Sequence, residues 1–107
     1  MLFVHLIEWF FGGAFLANSV PHIVNGISGR AFQSPFAKPP GEGLSSSVVN
    51  VLWGFFNLAV AYVLLVWLGE LNLHSWWQVA MAGAGALFLS VMMARHFGRF
   101  HGGLLKN

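Results

Sequence analysis

Three ionisable side chains lie in apolar runs near the start of the chain. Glu8 follows His5 by three residues in MLFVHLIEWFF, and His22 stands among Asn18, Pro21 and Asn25 in NSVPHIVNG. Ionisable groups inside an apolar helix are expensive and usually face a partner or a cavity. An imidazole there can take up and release protons near neutral pH. Two readings of Glu8 carry equal weight. It is an acid of functional use in the outer half of a membrane, or it pairs with His5 across one helix face.

Spacing sorts these residues onto faces. His5, Glu8, Gly12, Ser19, His22 and Gly26 recur at helical intervals, with Asn18 and Asn25 on the flank. Asn50, Gly54, Asn57 and Ala61 form a second stripe. Ala82, Ala86, Ser90 and Ala94 form a third, of small residues that let helices pack closely. Depth then separates two groups, because Glu8 and His22 are about 21 Å apart along a straight helix. An antiparallel second helix brings Asn50 and Asn57 to the level of Asn18, His22 and Asn25. The expectation is a polar pocket for a ligand or a proton, formed by Asn18, His22, Asn25, Asn50 and Asn57. The opposing reading makes the asparagines interhelical glue, or repair for the Ala17 carbonyl that Pro21 strips of its donor.

The elements that must position them follow from composition. Of 107 residues, 57% are hydrophobic and only 7% are charged, against about 25% charged in an ordinary soluble domain. About 20 apolar residues cross a bilayer as a helix. The expected fold is all-α, an integral membrane protein with three transmembrane helices in one domain over residues 1–107. The spans are about Leu2–Asn25, Ser47–Leu68 and Trp76–Ala94, with a Pro-, Gly- and Ser-rich loop over about 26–46. The first span lacks a positive n-region and is expected to be retained rather than cleaved.

Charge sets the expected orientation. Arg30, Lys38, Arg95, Arg99 and Lys106 are every Lys and Arg of the chain, and three spans put them all on one side. The positive-inside rule makes that side cytoplasmic, with the N-terminus outside and the C-terminus inside, as in a bacterial inner membrane. Trp9, Trp67, Trp76 and Trp77 mark the outer boundary as an aromatic belt. In the loop, Phe32 and Phe36 alternate with Arg30 and Lys38. An interfacial connector, rings in lipid and charges in water, is favoured over a lid that offers Arg30, Lys38 or Glu42 to a ligand. The tail from Arg95 reads as a topology signal.

Several classes of function fall away. There is no cysteine, so disulfides and thiolate metal sites are excluded. A net charge of +2 is too small for nucleic-acid binding. No nucleophile elbow, phosphate loop or H-E-x-x-H is present, so no catalytic residue is assigned, and no cofactor is specified. No metal site is expected, and a haem held by His22 and His96 is a weak alternative. The partners expected are the lipid bilayer and either copies of the same chain or a larger membrane complex. The leading expectation is an oligomeric transporter or channel. An accessory subunit and a small enzyme acting on a lipid or quinone are the alternatives.

Overall fold

The computed structural model describes residues 1–106. It is mostly helical, with α1 over Leu2–Ile27, α2 over Ser47–Tyr62 and α3 over Trp76–His101. A six-residue π-helical segment, Val63–Leu68, prolongs α2. All three helical stretches are long and apolar enough to span a membrane. The chain therefore reads as a membrane protein. Leu52, Phe55 and Phe56 of α2 and Leu87, Phe88 and Val91 of α3 are more than half exposed, as suits a surface bathed in hydrocarbon.

α1 is the middle helix. α2 runs antiparallel to it and α3 parallel, and the outer two barely touch each other. Glycines make this possible. A Cβ at Gly13 would lie 1.8 Å from the Ala82 carbonyl oxygen, and one at Gly85 would lie 1.8 Å from that of Phe10. α1 and α3 therefore meet backbone to backbone. On the α2 side, Gly54 fits against the backbone of Ser19 and Ile23. Of the small-residue stripe on α3, Ala82 shares this contact and Ala86 is half-buried, whereas Ser90 and Ala94 are exposed. Ser90 and Ala94 line a groove of about 490 Å³ between α1 and α3 rather than a tight seam.

Local chemistry sets the helix ends. Ser46 caps α2 by accepting from the Val49 amide at 3.2 Å. α1 outlasts the expected boundary by two residues and stops where Gly29 takes a φ of 78°. The Arg30 and Gly29 amides then bond back to the Asn25 and Gly26 carbonyls, a Schellman closure that needs a residue at ease with left-handed backbone. α3 runs to His101, seven residues beyond the expected Ala94, and its last turn carries Arg99 and His101.

Between α1 and α2 the chain is not a bare connector. Phe32–Gln33 and Leu44–Ser45 pair as strands β1 and β2 of a short antiparallel hairpin, with Phe32 opposite Ser45. Phe32 is only 6% exposed, whereas Phe36 is 64% exposed. The expectation that both rings sit in lipid fails for Phe32, which packs on His22, Phe97 and His101 instead.

At the opposite end, Trp9 is buried and donates from Nε1 to the Gly69 carbonyl at 2.9 Å. It also packs on Trp77 and stacks on His5. Trp9 is thus a core residue that pins the α2–α3 turn, not a member of an exposed belt with Trp67 and Trp76.

Candidate functional site

The interior of this protein holds a cluster of polar side chains. Asn50 and Asn57 are its largest fully buried side chains, and Ser19, His22, Gln33 and Ser34 are buried beside them. Helices apolar enough to span a membrane call for such an arrangement, since polar groups that cannot meet water must meet each other.

Asn50 is the anchor. Its Nδ2 lies 3.1 Å from the Phe32 carbonyl, 3.2 Å from that of Ser45 and 3.0 Å from that of Ser46. One amide thus ties both hairpin strands to the start of α2. With the NH2 group committed, only Oδ1 remains to face α1, and it lies 2.7 Å from His22 Nδ1. A carbonyl oxygen only accepts, so His22 Nδ1 must carry the hydrogen and donate. In the neutral imidazole, Nε2 then holds a bare lone pair. Among the described residues Nε2 has no hydrogen-bond partner, although His22 is only 2% exposed. Phe32, Trp53 and Phe97 stand edge-on around the ring.

The ring borders a cavity of about 320 Å³ beneath the hairpin, where α1, α2 and α3 come together. Asn18, Gln33, Ser34, Trp53, His96 and Phe97 also line it. Gln33 is 4% exposed. Its Oε1 is engaged by His101 Nε2 at 2.8 Å, which leaves its NH2 group without a protein partner. The cavity thus combines a bare acceptor with an uncommitted donor, and none of its lining residues is Lys, Arg, Asp or Glu.

The five residues of the expected pocket divide. His22 and Asn50 are bonded, and Asn18 Nδ2 donates to Asn57 Oδ1 at 2.9 Å one step deeper. Asn57 Nδ2 turns back to the Trp53 carbonyl at 2.8 Å. Asn25 is elsewhere. Its Nδ2 donates to the Pro21 carbonyl at 2.8 Å, and its Oδ1 accepts from Arg30 Nε at 3.0 Å. It borders the other groove, between α1 and α3. Ser19 donates to the Leu16 carbonyl at 2.6 Å. Neither side chain reaches the Ala17 carbonyl, so the proposed repair of that group is not made by them.

Glu8 and His5 stand apart at the far end of α1. Glu8 Oε1 and His5 Nδ1 are 2.8 Å apart, with side chains 14% and 32% exposed. This is the pairing across one helix face.

The charged loop residues Arg30, Lys38 and Glu42 do not line the cavity; the hairpin contributes uncharged Gln33 and Ser34 instead. His96 and His101 join the hairpin from α3. His96 Nδ1 accepts from Arg99 at 2.9 Å, so its Nε2 carries the hydrogen and donates to the Gly41 carbonyl at 2.6 Å. Both nitrogens are thereby occupied, and a haem held between His22 and His96 would have to break these bonds. Gln33, Ser34, Phe97, His101 and the strapping role of His96 went unread in the sequence. Nothing in FQSPF marks a strand that folds back over a helix end.

No family model, curated protein or solved structure matches this chain.

A bare imidazole nitrogen held by an orienting partner can accept a hydrogen bond from a hydroxyl and take its proton as a general base. The resulting imidazolium would keep Asn50 Oδ1 as its acceptor. The partner is a neutral amide, so it aims the ring without adding charge.

Proposed function

We propose that this protein binds a neutral, hydroxyl-bearing lipid or quinone-type molecule in the His22 cavity. The hairpin end faces the cytoplasm in this reading, because Arg30, Lys38, Arg95, Arg99 and Lys106 all gather there. The observation that carries the proposal is the unpartnered Nε2 of His22, a residue only 2% exposed, set in its tautomer by an amide whose NH2 is committed to three carbonyls. The aromatic walls and the lack of formal charge in the lining favour a neutral polar head over an ion.

The ligand class of the alternative, a small enzyme acting on a lipid or quinone, is preferred here to the transport expectation. Past the Asn18–Asn57 pair, the space between the helices is lined by Phe10, Phe11, Ala14, Phe15, Phe88 and Leu89. An ion or hydrophilic solute would find no polar partner there.

The test is co-purification. Full-length protein from native membranes is isolated in mild detergent, extracted with organic solvent and analysed by mass spectrometry. Wild type and Asn25→Ala should yield the same hydroxyl-bearing apolar molecule in near-stoichiometric amount. His22→Ala should lose it while remaining folded. Equal recovery from a folded His22→Ala protein would contradict the reading.

A further inference from the structure

Two cavities share a wall at Asn18. The one beneath the hairpin contains the His22 ring and has uncharged polar and aromatic sides. The next, of about 300 Å³, continues along the same face of α1 between α2 and α3, with Asn18 and Asn57 at one end and aromatic and aliphatic side chains over the rest. It exists because α2 and α3 each pack on α1 but hardly on each other. Asn18 and Asn57 satisfy one another at the junction. A molecule lying across both would therefore leave its polar end at His22 and Gln33 and its apolar body against Phe15, Ala14 and Leu89.

We infer that the occupant is a hydroquinone with a long apolar chain, its ring in the His22 cavity and its chain in the cleft between α2 and α3. The inference rests on the proposed role of His22 and adds the kind of head and the path of the chain. Four observations select the occupant. The bare Nε2 of His22 asks for a donor, which a phenolic hydroxyl supplies. The free NH2 of Gln33, 4% exposed, asks for an acceptor, which a second ring oxygen supplies. Trp53 and Phe97 flank the cavity and suit an aromatic ring between them. No cation is present to neutralise a phosphate, so a phospholipid head fits poorly. The cleft accounts for the chain, since its lining beyond the asparagine pair is apolar.

Titration calorimetry on the detergent-solubilised full chain, with decyl hydroquinone and methyl hydroquinone as probes, separates these claims. Ala14→Phe and, on the opposite wall, Leu89→Trp should each fill the cleft. Both should weaken decyl hydroquinone by about tenfold, the equivalent of about two methylenes left unburied, and leave methyl hydroquinone unchanged. Leu89 is half-buried, so Leu89→Trp keeps the test open if Ala14→Phe fails to fold. His22→Ala should weaken both probes. Wild-type affinity for decyl hydroquinone in the folded cleft variants would overturn the chain path while leaving the His22 reading intact. Undiminished methyl hydroquinone binding by His22→Ala would overturn the His22 reading itself. Displacement of decyl hydroquinone by decanol at equal concentration would overturn the ring-bearing head.

Discussion

Asn50 decides more of this structure than any charged residue does. Its amide joins the hairpin, the first turn of α2 and the imidazole of α1, and it is fully buried. Leucine is close in size but offers neither donor nor acceptor. Asn50→Leu would strand the Phe32 carbonyl and the His22 Nδ1 hydrogen, at about 1–3 kcal/mol for each buried group left unpaired. The expected outcome is a clear drop in thermal stability in detergent, with the hairpin amides exchanging first. His22→Ala leaves one buried acceptor, Asn50 Oδ1, unpaired and takes one ring from beside Phe32, but keeps every bond from Asn50 to the hairpin, and should cost less. Equal losses in the two variants, measured by melting and by hydrogen exchange over the hairpin, would contradict the division of labour between anchor and acceptor.

Helix contacts obey a rule of closeness, which glycine meets and alanine only approaches. Gly13 and Gly85 bring α1 and α3 to backbone contact. Gly85→Leu should separate the two helices and lower Tm, since overpacking commonly costs about 1–3 kcal/mol. Gly83→Leu, two residues away where nothing lies within 4 Å, is the matched control and should change little. Similar melting of the two variants would show that this seam does not hold α3. The three helices were legible in the sequence because long apolar runs have few other solutions. The stripe of Ala82, Ala86, Ser90 and Ala94 pointed to the correct helix, but the tightest contact passes through Gly85, while Ser90 and Ala94 border a groove. A spacing of four cannot show which small residues meet a neighbouring backbone and which face a groove. The hairpin was illegible for a different reason. Its paired segments are two residues long, and what holds them is Asn50, several residues outside the loop. The π-helical segment VLLVWL carries no residue that distinguishes it from ordinary helix. Within the site, Asn18, His22, Asn50 and Asn57 could be read from depth and face. Asn25 could not, because Pro21 and Arg30 compete for its amide.

The whole molecule is a bundle with a cluster of polar side chains inside and one end roofed by a hairpin. Its proposed orientation places that roof in the cytoplasm. The chain has no cysteine, so single cysteines report cleanly. Glu42→Cys on the roof and Leu73→Cys at the far turn, both exposed, should label from opposite faces of sealed inner-membrane vesicles with an impermeant reagent. Labelling of both from one face would break the proposed topology. Within the bundle sits a buried imidazole with Nδ1 protonated toward Asn50 and Nε2 bare beside a cavity. Nitrogen NMR on protein carrying isotope-labelled histidine, reconstituted in lipid nanodiscs and assigned through His22→Ala, reads that tautomer directly. The expected spectrum shows a hydrogen on His22 Nδ1, none on Nε2, and a shift of the Nε2 signal when decyl hydroquinone is added. A hydrogen resident on Nε2, or an Nε2 signal indifferent to the ligand, would contradict this reading of His22.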